Sequence, residues 1–75
     1  MSEETKLSPY KKILVIDDND IDRYIAGRNI KKYSLSEETV LKESAIVALE
    51  YLASLESTPD ELPQLIFLDI RNVEF

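Results

Sequence analysis

The 75-residue sequence contains no cysteine and no histidine. The lack of cysteine excludes disulfide scaffolds and thiolate zinc sites, and the lack of histidine excludes the commonest general base and the commonest metal ligand. A single glycine is present, which excludes a glycine-rich loop that would bind nucleotide phosphates. Any metal ion held by these side chains must therefore be a hard cation with oxygen ligands.

Basic residues and long apolar runs are also scarce. The 9 basic side chains are outnumbered by 15 acidic ones, the net charge is -6, and no basic stripe is present to attract a phosphate backbone. The longest apolar runs, residues 13–16 and 65–68, are too short to span a bilayer, and an acidic start with Glu3 and Glu4 is unlike a signal peptide. We therefore expect a cytoplasmic location, with neither a nucleic acid nor a membrane as partner.

The composition is that of an ordinary soluble protein, with 44% apolar and 32% charged residues. Its length is near the lower limit for one hydrophobic core, so at most one domain is expected. Residues 1–9 are polar and end in Ser8-Pro9, which predicts a flexible leader, and the folded domain is expected over residues 10–75.

The hydrophobic pattern predicts an α/β fold with the order β-α-β-α-β. Two unbroken aliphatic runs are typical of strands buried in a parallel sheet, and a β-favouring segment between charged ends is typical of an edge strand. Strands are predicted near residues 13–16, 37–43 and 64–69, and helices from about residue 20 to 33 and, after the capping residue Ser44, from about residue 45 to 55.

Helical spacing also predicts which side chains pack. In the first helix we expect a packed stripe of Ile21, Tyr24, Ile25 and Arg28, with Ala26 and Ile30 at its flanks. In the second helix the expected face is Ala45, Ala48, Leu49, Leu52 and Leu55, and the residues expected to widen its apolar side are Ile46, Val47 and Tyr51. Gly27 is expected to mark close packing or a weak point of the first helix.

Strands that alternate with helices predict right-handed crossovers and a parallel sheet, and the strand order we expect for it is 2-1-3. Both the first and the third strand then end in aspartate at the point where the winding reverses, which is where ligands bind in open sheets. Asp17, Asp18 and Asp69 should meet there, and this predicted acidic site suits Mg²⁺ because clustered carboxylates repel one another unless a cation is present. The alternative is that Asp17 and Asp18 only cap a helix and Asp69 only ends a strand.

Two segments carry a family resemblance. Residues 13–19, ILVIDDN, and residues 65–70, LIFLDI, resemble the two signature segments of receiver domains of two-component response regulators. The resemblance extends from about residue 11 to 70 and includes ALEYL at residues 48–52. It implies a flavodoxin-like sheet, here truncated to its β-α-β-α-β part.

The resemblance also implies a function. Asp69 would accept a phosphoryl group from a histidine kinase or phosphotransfer protein, Asp18 would bind Mg²⁺ directly and Asp17 through water. Arg71 would lend its backbone carbonyl to the metal. Such a phosphorelay module is not an enzyme in its own right, and at most it catalyses its own phosphotransfer.

The sequence departs from the family after Asp69. Receivers have five strands, and a serine or threonine of the fourth and a lysine of the fifth contact the phosphoryl group. Residues 10–75 match a partial receiver domain without these two strands, so we expect impaired phosphorylation. The methionine-proline pair and glycine usual after the acceptor are replaced by RNVEF at residues 71–75. The third strand would be an exposed edge, so we expect the chain to be either a truncated receiver or a piece that self-associates through residues 64–69.

Two other functions stay open. Asp18-Asn19-Asp20 resembles the start of haloacid-dehalogenase-type phosphatases, with Asp18 as nucleophile and Asp20 as acid. An interaction module that works without phosphorylation, through the exposed strand or the first helix, is the other. A calcium loop starting at Asp18 is rejected, because Arg23 stands where glycine is needed and Asn29 where glutamate is needed.

Overall fold

The computed structural model describes residues 8–69, which form a three-stranded parallel sheet and two α-helices. A short 3₁₀-helix precedes the last strand. The elements in chain order are β1 (Tyr10–Asp17), α1 (Asp20–Lys32), β2 (Ser36–Lys42), α2 (Ala45–Ser54), the 3₁₀-helix (Pro59–Glu61) and β3 (Leu65–Asp69). The strand order is β2-β1-β3, so the predicted α/β fold and its strand order are confirmed.

The central strand β1 forms the core of the molecule. Its two neighbours leave it no open edge, and a helix packs on each face of the sheet, so its side chains from Lys12 to Asp17 are buried on both sides. On one face Ile13 and Val15 contact Ile30 of α1, and on the other Leu14 and Ile16 contact Ala48 of α2. This double burial explains why the strand is a continuous aliphatic run instead of an alternating one.

Side chains and a turn determine the two ends of α1. The Asn19 side chain accepts a hydrogen bond from the Asp22 backbone N–H, which caps the first turn. At the other end Ser34 has φ 53°, and the Leu35 N–H donates to the Ile30 carbonyl. This left-handed residue turns the chain from α1 into β2.

The face that α1 presents to the sheet differs from the predicted one. Ile21, Tyr24 and Ile25 are 69%, 65% and 47% exposed, whereas Ala26 and Ile30 pack against the core. The prediction that the first three pack was therefore wrong, and the residues predicted as flanks are the packed ones. The reason is a close approach at Gly27, where an added Cβ would lie 3.2 Å from a Leu41 methyl carbon of β2. The predicted close packing at Gly27 is confirmed.

The face of α2 was predicted only in part. Ala48 is buried and Leu52 packs beside it, and Ser44 caps the helix as predicted. Leu49 is 63% exposed, however, whereas Tyr51, which was predicted to widen the apolar side, does pack on the sheet. The Tyr51 hydroxyl accepts a hydrogen bond from buried Lys12 of β1, and this polar contact orients α2 so that Tyr51 faces the sheet.

Strand β3 forms an open edge of the sheet. Within residues 8–69 its one neighbouring strand is β1, and its apolar side chains Ile66, Phe67 and Leu68 are 45%, 45% and 64% exposed. The predicted exposed edge is therefore confirmed for this part of the chain. Neither described helix is long and apolar enough to cross a membrane.

Candidate functional site

Asp17 and Asp69 lie side by side at the carboxyl edge of the sheet. They are the last pair in the register of β1 with β3. Asp17 is 4% exposed because it ends the central strand, while Asp69 ends the edge strand and is exposed. The sequence prediction that these two residues meet is confirmed.

The third carboxylate at this edge is that of Asp22. One carboxylate oxygen from each of Asp17, Asp22 and Asp69 lies within 4.8 Å of the other two, and we call these residues the aspartate triad. Asp18, which was predicted to complete the site, is exposed and is not part of the triad. The chain bends at Asp18, directly after β1 ends, and the first turn of α1 supplies Asp22 instead.

The sequence prediction did not include Asp22, because it was based on the adjacent residues Asp17 and Asp18 at the end of the strand. A signal for it was present in the sequence. Asn19 is the capping residue of α1, and Asp22 is the third residue of the helix, where a side chain reaches back towards the chain entering the helix. The entering chain here is the end of β1, which carries Asp17.

Backbone hydrogen bonds hold the β1–α1 connection in place. The Asn19 N–H donates to Oδ1 of Asp17 at 3.0 Å, and the Asp22 N–H donates to Oδ1 of Asn19 at 2.9 Å. The Arg23 N–H donates to the Asn19 carbonyl at 2.9 Å. Asn19 therefore links the Asp17 carboxylate to the turn that carries Asp22.

Arg23 adds a positive charge to this acidic edge. Its Nη1 donates to the backbone carbonyl of Asp17 at 2.8 Å, and its Nη2 pairs with the Asp20 carboxylate. The Arg23 side chain is 19% exposed and that of Asp20 is 88% exposed. Asp20 is therefore engaged in an ion pair at the surface and is not part of the triad.

An apolar cleft of about 380 Å³ lies beside the triad, between α1 and β3. The residues that line it include Asp17, Phe67, Leu68 and Asp69. A larger cleft of about 600 Å³ lies between α1 and β2 and is lined by residues such as Tyr24 and Arg28, away from the triad. Of these two clefts, the smaller one borders the carboxylates of the triad.

The triad offers a set of donors that could hold a metal ion. Its donors are three carboxylates, which are hard oxygen ligands, and the sequence has no histidine or cysteine that would favour a softer metal. In an octahedral site with metal–oxygen distances of about 2.1 Å, adjacent oxygens are about 3 Å apart and opposite ones about 4.2 Å, so side-chain rotations that draw the three carboxylates together would place them on one cation. Arg71, whose carbonyl was predicted to contribute, lies outside the described residues.

Comparison of the chain with family models, with characterised proteins and with solved structures finds no match.

Proposed function

We propose that the chain is a phosphoacceptor receiver module of a two-component phosphorelay, in which Asp69 carries the phosphoryl group. One observation carries the proposal. Asp69 is the register partner of Asp17 at the carboxyl edge of a parallel sheet, with Asp22 within 4.8 Å of both. The β2-β1-β3 order and the triad are compatible with a receiver-like site. We propose the phosphorylation reaction because residues 13–19 and 65–70 resemble the signature segments of receiver domains.

Exposure favours Asp69 as the acceptor. A carboxylate that attacks phosphorus must be reached by a bulky donor along the line of the bond that breaks. Asp69 is exposed at the end of an edge strand, whereas Asp17 is 4% exposed and already accepts the Asn19 N–H. Asp17 is therefore suited to hold a cation, and Asp69 to react.

The reaction forms an acyl phosphate. A carboxylate oxygen of Asp69 bonds to phosphorus while the bond from phosphorus to the donor's leaving group breaks, and the leaving group departs with that electron pair. A bound Mg²⁺ supplies the positive charge that offsets the repulsion between the carboxylates and the incoming phosphoryl oxygens. The proposed donors are a histidine kinase or a phosphotransfer protein, since a phosphohistidine nitrogen is such a leaving group.

The direct test is phosphorylation by a small donor. The chain is incubated with Mg²⁺ and acetyl phosphate, and the intact mass is expected to rise by one phosphoryl group that peptide mapping places on Asp69. Omitting Mg²⁺ should remove the adduct. A chain that gains no phosphoryl group and binds no Mg²⁺ would refute the proposal.

The ligand set can be tested with a matched pair of variants. The structure groups Asp22 with Asp17 and Asp69, whereas the resemblance implies Asp18 as the direct ligand. We expect Asp22→Asn to weaken Mg²⁺ binding by about 10-fold or more, because a ligand charge is lost. Asp18→Asn should have a much smaller effect, and calorimetric titration measures both. The opposite ranking would assign the cation to the ligand set of the resemblance.

We also propose that the chain self-associates through the exposed edge of β3. Unpaired backbone groups at an exposed strand edge favour pairing with another chain, and a lysine on the edge opposes it. Light scattering after size exclusion is expected to give a concentration-dependent mass above 8.6 kDa for the wild type.

Two isoleucine variants locate the contact. Ile66→Lys on β3 should shift the chain towards monomer, and Ile21→Lys, at an exposed isoleucine of α1, serves as the control that should not. A wild type that is monomeric at every concentration would contradict pairing through this strand.

A further inference from the structure

Arg23 joins two elements whose relative position determines the shape of the aspartate triad. Asp17 ends β1 and Asp22 lies in the first turn of α1. The distance between their carboxylates is therefore constant only if the end of the strand and the start of the helix keep the same relative position. Arg23 follows Asp22 directly in the same turn, and its Nη1 donates to the Asp17 carbonyl at 2.8 Å. This bond connects the backbone of one triad residue to the turn that carries another.

The hydrogen bond from Arg23 to the Asp17 carbonyl contributes more to holding the strand end against the helix than the ion pair of Arg23 with Asp20 does. Asp20 is 88% exposed, and ion pairs between solvent-exposed groups contribute little. The Arg23 side chain is only 19% exposed, and its bond to the Asp17 carbonyl is partly buried. A charged donor to a shielded carbonyl is among the stronger hydrogen bonds.

We propose that Arg23 is a positioning residue that holds Asp17 and Asp22 at the separation required to bind a divalent cation. The inference rests on the proposed function, because it concerns the same cation site. The guanidinium suits this role because its planar fork can donate to the Asp17 carbonyl and the Asp20 carboxylate at once, which a lysine ammonium does not reproduce.

The positioning role and a purely electrostatic role predict opposite effects. If Arg23 only places a positive charge near the triad, its removal should strengthen cation binding, because a like charge is taken away. If Arg23 positions the carboxylates, its removal should weaken binding despite the gain in negative charge. Loss of groups that orient metal ligands typically costs about 10- to 100-fold in affinity.

The experiment is a Mg²⁺ titration of the full chain, followed by calorimetry or by amide shifts in NMR. We expect Arg23→Ala to weaken binding by about 10-fold or more, and Arg23→Lys to weaken it as well although the charge is kept. Arg28→Ala is the control, since Arg28 is an exposed arginine on the same helix and does not line the cleft beside the triad.

A second readout separates positioning from a general loss of structure. Phosphorylation by acetyl phosphate is measured against Mg²⁺ concentration, and the variants are expected to need more Mg²⁺ yet to approach the wild-type rate when it saturates. If Arg23→Ala does not fold, Arg23→Lys, which keeps the charge and the aliphatic stem, carries the test.

The outcomes are distinct. Tighter binding by Arg23→Ala with a wild-type affinity for Arg23→Lys would show a charge effect and overturn the positioning role. Wild-type affinity in both variants would overturn it too, while leaving the proposed function intact. A wild type that binds no Mg²⁺ would refute the cation site itself, and this inference with it.

Discussion

Replacing Asp69 with asparagine is expected to reduce phosphorylation by acetyl phosphate to background, a loss of about 100-fold or more, because a neutral amide is not a nucleophile towards phosphorus. Asparagine matches aspartate in shape, and Asp69 is exposed, so the fold should persist. Removing one of three neighbouring negative charges also relieves repulsion within the triad. Intact mass after incubation with Mg²⁺ measures the effect.

Asp60→Asn is the matched control for this variant. Asp60 is an exposed aspartate in the 3₁₀-helix and is not part of the triad, so its variant should be labelled like the wild type. Labelling of Asp69→Asn at the wild-type level would show that another residue is the acceptor. Mapping the label to Asp18 in the wild type would instead favour the phosphatase-type nucleophile.

Replacing Lys12 with methionine is expected to lower the free energy of unfolding by about 1–3 kcal/mol, because partly buried acceptors lose their donor. Lys12 is 4% exposed, and its Nζ donates to the Tyr51 hydroxyl at 3.0 Å and to the Glu61 carbonyl. The Glu61 carboxylate lies 3.4 Å away. One ammonium group thus joins β1, α2 and the 3₁₀-helix that leads into β3.

The control for Lys12 is its neighbour on the same strand. Lys11 has an exposed side chain, so Lys11→Met should change the free energy of unfolding by less than about 0.5 kcal/mol. Urea denaturation monitored by circular dichroism measures both variants. Equal effects at the two positions would contradict a structural role for the buried ammonium.

The stabilisation by Lys12 also has a defined pH dependence. The hydrogen bond to Tyr51 raises the pKa of Lys12, and burial, which acts in the opposite direction, offsets this only in part. Because the folded pKa is above the unfolded one, the contribution is complete at pH values below the unfolded pKa and is lost as the pH rises through the folded pKa. The difference between the wild type and Lys12→Met should therefore be constant near neutral pH and shrink in strongly alkaline solution.

The strands and the strand-end aspartates could be predicted because their signals are local. The aliphatic runs before Asp17 and Asp69 are long enough to identify parallel strands, although of the described strands only β1 is buried, and the strand order expected for an open sheet of this kind places β1 in the middle. Two of the triad residues followed directly from this topology. Ser44 as the cap of α2 was also readable from the sequence.

The rotation of the helices could not be predicted in the same way. In α1 apolar residues occur on adjoining faces, so the helical period identifies which residues share a face but not which face is buried. The structure buries the side with Ala26 and Ile30, where Gly27 permits close approach to Leu41, and leaves Ile21 and Tyr24 exposed. In α2 the hydrogen bond between Tyr51 and Lys12 likewise determines which side of the helix faces the sheet.

The sequence by itself thus determined the α/β order, the central position of β1 and the meeting of Asp17 with Asp69. Only the tertiary structure decided that Asp22, and not Asp18, joins them. The physical reason is that Asp17 and Asp69 end two strands that pair in the sheet, whereas the cap at Asn19 places Asp22 in the first turn of α1 but the direction in which that turn faces depends on the rotation of the helix. That rotation is set by contacts between elements far apart in the chain.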